Sequence, residues 1–127
     1  MPGKTLFEYA VIRWMPRVER EEFLNVGVVL YCRGQRFLDA KYHLPVEKLA
    51  AFYGPYDAEE VESSLRAFQL ICKGDSAGGP IAMLPPAERF RWLTAKRSTI
   101  IQPSAVHPGL CVDAEEMLSH LFNELVL

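Results

Sequence analysis

With 127 residues, half of them apolar and about a quarter charged, the chain has ordinary globular composition, enough for one core and too little for two independently folding halves. Its 14 basic and 16 acidic residues leave a formal charge of −2, which excludes a net field drawing it to nucleic acid or to an anionic membrane. Cys32, Cys72 and Cys111 are odd in number and far apart, which excludes a disulfide framework or a zinc ribbon and points to reduced, mostly buried thiols.

The first residues, Met1 to Glu8, lack the apolar run and small-residue cleavage site of a signal peptide, and the longest apolar stretch, Val26 to Cys32, is too short for a membrane span. A single cytoplasmic domain over residues 1–127 is the expectation. Leu6 to Met15 places Phe7, Tyr9, Val11 and Met15 on one face and Leu6, Ala10, Ile12 and Trp14 on the other, the pattern of a central strand. Arg17 to Glu22 is a charged connection. Phe23 to Cys32, rich in β-branched residues, reads as a second strand beside the first. Asn25 and Gly27 interrupt it; period two puts them on one face, where the glycine would open space beside the amide, and the alternative is a β-bulge or close packing at Gly27 with Asn25 bonded to backbone. Arg33-Gly34-Gln35 turns the chain into a third strand, Arg36 to Tyr42, completing an antiparallel meander.

Pro45 suits a first helical position, with Val46, Leu49, Ala50 and Tyr53 at helical spacing before Gly54-Pro55 stops the element. Asp57 with Glu60 resembles a capping box for a second helix, whose stripe of Val61, Leu65, Phe68 and Cys72 ends near Lys73-Gly74. Asp75 to Pro80 reads as the best flexible loop in the chain. Pro85-Pro86 starts a short helix through Trp92 or Leu93, with Trp92 expected as a core anchor. Ser98 to Gln102 reads as a fourth strand, after which Pro103, Pro108 and Gly109 impose a loop. Asp113 caps the last helix, with Ala114, Met117, Leu118, Leu121, Phe122 and Leu125 on one face. The fold class is therefore α+β: a small antiparallel sheet, a three-stranded meander plus a fourth strand, packed with two to four helices.

Residues 86–109 carry Arg89, Arg91, Lys96 and Arg97 against Glu88 alone, whereas residues 110–127 carry Asp113, Glu115, Glu116 and Glu124 with no lysine or arginine. Between Arg89 and Gly109 core patterning gives way to basic, aromatic, hydroxyl and histidine side chains. Glu22 to Leu30, preceded by Arg13-Trp14-Met15-Pro16, together with Phe90 to Ala95, Arg97-Ser98 and Val106-His107-Pro108-Gly109, resembles the two characteristic blocks of the DUF3037 family of bacterial proteins of unknown function. The resemblance covers essentially the whole chain and implies no established activity, substrate or catalytic residue. It does imply a context, since relatives are often encoded beside HipA-like kinases.

The residues themselves offer one candidate site. His107 in its Val-His-Pro-Gly loop could exchange a proton near neutral pH, or simply cap a turn. Arg97 and Ser98 are the group types that bind phosphate or carboxylate; Arg97 could equally pair with Glu22 or with the acidic last helix. Arg13, Glu22 and Asn25 would orient them, with Glu22 either an acid/base or the ion-pair partner of Arg13 or Arg97. His43, His107 and His120 lack the close partners of a metal motif, and no Walker loop, nucleophile elbow or dinucleotide fingerprint occurs, so neither metal nor cofactor is expected.

Three functions follow in order of preference. The first is a protein-interaction or accessory module whose partner could be a HipA-like kinase encoded nearby, with a homodimer also open. The second is a small enzyme or ligand-binding domain for a phosphate-bearing substrate. The third, nucleic-acid binding through Arg89, Arg91, Trp92, Lys96 and Arg97, is disfavoured by the net charge.

Overall fold

Strand β1 (Thr5–Trp14) is the axis of the molecule, and a computed structural model describes the chain over residues 3–96 and 99–127. Its apolar character on both faces is explained by what flanks it. Strand β2 (Leu24–Cys32) pairs on one side and β3 (Phe37–Tyr42) pairs with β2, giving the expected antiparallel meander. On the other side β1 pairs antiparallel with two short strands in tandem, β4 (Ile101–Pro103) against Ile12 to Trp14 and β5 (His107–Cys111) against Thr5 to Tyr9. The order is β3-β2-β1-β4, with β5 continuing the β4 edge.

The fifth strand corrects the loop expected from Pro103, Pro108 and Gly109. Proline cannot donate to a ladder, but β5 is an edge strand and needs donors on one side only. Gly109 is required by its neighbour: a Cβ there would lie 2.6 Å from Cζ of the Phe7 ring that covers it. The expected fourth strand is also displaced, beginning at Ile101; Ser98 lies outside the described residues.

Between β4 and β5 the ladder is interrupted and Ser104 repairs it. The Val11 N–H donates to Ser104 Oγ at 2.8 Å, the Ser104 N–H returns a bond to the Val11 carbonyl at 2.8 Å, and the hydroxyl donates to Ala105 O at 2.9 Å. Ser104→Ala should therefore strand a buried N–H and cost about 1–3 kcal/mol in urea unfolding, whereas Ser104→Thr, which keeps the hydroxyl, should cost less.

Four helices complete the fold: α1 (Val46–Tyr53), α2 (Ala58–Lys73), α3 (Pro86–Leu93) and α4 (Ala114–Leu125). Asp57 accepts from the Glu60 N–H and caps α2, which ends at Gly74 in the left-handed region with φ 69°. Asp113 caps α4 through the N–H groups of Glu115 and Glu116. Asp75 to Pro80, expected to be flexible, instead forms a short 3-10 turn, Ser76–Gly78, with Asp75 accepting from the Ala77 N–H.

The sheet carries a helical layer on each face. Ala10, Ile12, Trp14, Val29, Tyr31 and Ala40 pack beneath α2 and α3, with Leu65, Phe68, Phe90 and Leu93 opposite. On the other face Phe7, Val28, Leu30 and Cys32 pack under α4 through Ala114 and Leu118. All three cysteines are free and buried, as their spacing implied. No described helix is long and apolar enough to cross a membrane.

Candidate functional site

The two blocks that stand out in the sequence do meet. Arg13 lies between Asn25 on β2 and Gln102 on β4, Trp14 lies between Leu24 and Ile101, and the Met15 N–H donates to Ile100 O. The register between β1 and β2 shifts by one residue between Ile12 and Arg13, so Val26 is an extra residue on β2. Of the two readings the sequence offered at this point, the structure bears out the β-bulge with close packing at Gly27 and Asn25 bonded to backbone. Instead of sharing a face with Gly27, Asn25 turns to the α4 side, where its Nδ2 donates to Leu125 O at 3.1 Å. Gly27 is a close-packing position, with Lys41 O only 2.6 Å from where a Cβ would stand.

Arg13 stacks its guanidinium over Phe23, 4.1 Å from the ring centroid. Its Nε and the Oδ1 of the facing Asn25 are both buried without a hydrogen-bond partner. That is a buried donor and a buried acceptor on adjacent strands. Among the described residues the Glu22 carboxylate pairs with Arg20 on the exposed connection and not with Arg13. Arg97 and Ser98 lie outside the described residues.

His107 is elsewhere. Its ring packs on Tyr9, its cross-strand partner, at 5.4 Å between centroids. Tyr9 and Arg13 are four residues apart on β1, roughly 13 Å at strand rise, and Asn25 and His107 flank β1 on opposite sides. The structure thus brings Arg13 to Asn25 and leaves His107 apart from them, while Glu22 pairs with Arg20.

The basic stretch disperses in the same way. Arg89 is consumed structurally, donating from Nε to Leu84 O and from Nη1 to Ile71 O and Cys72 O at the end of α2. Trp92, expected as a core anchor, is 42% exposed, while Phe90 and Leu93 carry the burial of α3. Gln35 is a residue that patterning missed: it donates to Thr5 Oγ1 and Val112 O and accepts from the Ala114 N–H, tying the β2–β3 turn to β1 and to the start of α4. Among the described residues no cluster of three or more His, Cys, Asp or Glu side chains could hold a metal ion.

The most conspicuous surface feature lies at the other end of β1. Leu6 and Leu110 are cross-strand partners, each 60% exposed, and Val112 beyond them is 69% exposed. Leu6 lines a groove of about 550 Å³ whose lining also includes Glu8, Tyr31, Arg33, Ala87 and Arg91. Helix α3 reaches this groove through Ala87 and Arg91, and among the described residues Leu6, Leu110 and Val112 stay exposed beyond it. Alternation had assigned Leu6 to a buried face; the only hint otherwise is Leu110 and Val112, two apolar residues at strand spacing beside a Pro-Gly pair.

Burial pushes the Cys72 thiol from 9.0 up to about 12, and nearby Asp39 adds to the effect. Burial, then the adjacent Cys32, also raises Cys111, and burial with a hydrogen bond to Glu62 raises Tyr42. The folded state holds the Cys72 proton to higher pH than the unfolded chain does. Its contribution is intact below about 9 and is lost as pH rises toward about 12. Stability should therefore fall across that window, and fall less steeply in Cys72→Ala, as measured by urea titration at each pH.

No curated protein and no solved structure matches the chain. The model of one family, described as "Protein of unknown function (DUF3037)", matches residues 9–126, nearly the full length and both of the blocks that meet across β1. The chain belongs to the DUF3037 family.

Proposed function

We propose that this is a protein-interaction module, acting in the cytoplasm, that docks a partner on the uncovered corner of its sheet. The observation that carries the reading is the adjacent pair Leu6 and Leu110, extended by Val112, all left exposed among the described residues. Covering a leucine of this kind is worth roughly 1.5–3 kcal/mol, and contiguous exposed apolar surface marks binding sites on soluble domains. Pro108 supports docking on the face over strand addition at the edge, because it withholds an N–H from the outer rim of β5. Three free buried thiols accord with a reducing compartment.

The implied genomic context makes a HipA-like kinase the first partner to test, with a second copy of the chain as the competing occupant. Tagged protein purified from its native cells should retain a stoichiometric partner, and Leu6→Glu/Leu110→Glu should reduce that recovery about tenfold or more with an unchanged circular dichroism spectrum. Undiminished recovery by the double variant would sink the reading. The phosphate-site alternative draws support from Arg13 and Asn25, cross-strand partners that each bury a polar atom without a hydrogen-bond partner. It loses force because His107, its acid/base, stands across β1 from them.

A further inference from the structure

The uncovered corner has the dimensions and charge of a particular occupant. Helix α3 lies on β2, with Phe90 against Tyr31 at 5.4 Å between ring centroids, and beyond it only β1 and β5 remain. Two strands span about 10 Å, the diameter of one α-helix. Arg33 at the β2–β3 turn and Arg91 on α3 line the groove, and both are exposed. Neither forms an ion pair among the described residues. Glu8 is the one carboxylate in the lining, so the groove is apolar with a net positive border.

Resting on the docking reading above, the geometry points to an amphipathic helix of a partner protein, its apolar face over Leu6 and Leu110 and its flanks carrying aspartate or glutamate toward Arg33 and Arg91. Such a helix would lie beside α3 and complete the helical layer on this face. A second copy of the chain fits less well, because a two-fold contact sets the patch against itself and would oppose one arginine border to another. An added strand fits less well because of Pro108.

The test is a display selection on the purified full chain, using a library of helical peptides of about 14 residues, roughly 21 Å long, with the apolar face fixed and the flanking positions randomised over Asp, Glu, Lys, Arg, Ser and Gln. The selected peptides should be enriched in Asp and Glu, should lose binding to Leu6→Glu/Leu110→Glu, and should bind Arg33→Glu/Arg91→Glu about tenfold more weakly. Selected flanks that are neutral or basic, binding indifferent to the arginine reversal, or no enrichment at all would overturn the acidic-helix proposal. The docking reading is judged separately: if partner recovery from cells is lost in the leucine variant but not in the arginine variant, docking stands and the acidic helix falls.

Discussion

Trp14→Ala is expected to lower the unfolding free energy by about 3–5 kcal/mol, a large part of what a domain of this size possesses. Trp14 is 1% exposed, the largest fully buried side chain among the described residues. It stacks obliquely on Tyr56 at 5.1 Å and Phe52 at 6.1 Å, so one side chain joins the sheet to the α1–α2 connection. It also sits at the register position where β2, β1 and β4 come together. Truncation would open a cavity where strands and helices must close around nothing, and the ring neighbours could collapse only in part. Trp14→Phe, which keeps an aromatic face, should lose clearly less. The check is urea unfolding followed by circular dichroism, with an unchanged m value showing that the loss lies in the folded state.

Gly27→Val should cost about 3 kcal/mol by the opposite route, overpacking. A Cβ at this position would meet the Lys41 carbonyl oxygen at 2.6 Å and Ile12 Cδ1 and Tyr42 Cβ at 3.1 Å. The first of these is backbone of the neighbouring strand and cannot swing aside as a long side chain would. The β2–β3 pairing must open, or the bulge at Val26 must move and turn Asn25 away from Leu125. Gly27→Ala tests the same contact with less bulk and should fall between wild type and Gly27→Val in thermal denaturation. An unchanged midpoint for Gly27→Val would mean that the bulge is not fixed by close packing at this residue.

Much of the architecture was legible from local chemistry. Alternation gave β1, β2 and β3, and the aspartates at 57 and 113 marked the starts of α2 and α4 because a carboxylate there satisfies free N–H groups. What patterning could not see depends on position in the sheet. Pro108 and Gly109 are loop residues by local rule, yet an edge strand has no use for donors on its outer side and Phe7 needs a neighbour without a side chain. The bulge at Val26 left no signature beyond Gly27, so the sequence left two readings of Asn25 open, and the register decides for the bulge with Asn25 bonded to backbone. Arg13 and Asn25 were singled out by residue type and do adjoin; His107 was singled out in the same way and stands apart from them, and Glu22 pairs with Arg20. Leu6 looked like core because alternation reports which residues are apolar, not whether a helix arrives to cover them.

That last distinction is the one on which the functional reading turns. A photocrosslinking amino acid placed in turn at positions 6, 110, 25 and 107 of the full chain, in its native cells, would map the occupied surface directly. Irradiation should yield a discrete adduct with a partner protein from positions 6 and 110 and none from 25 or 107. Adducts from 25 or 107 with positions 6 and 110 silent would place the partner on the Arg13–Asn25 seam or the Tyr9–His107 side and contradict docking at the uncovered corner.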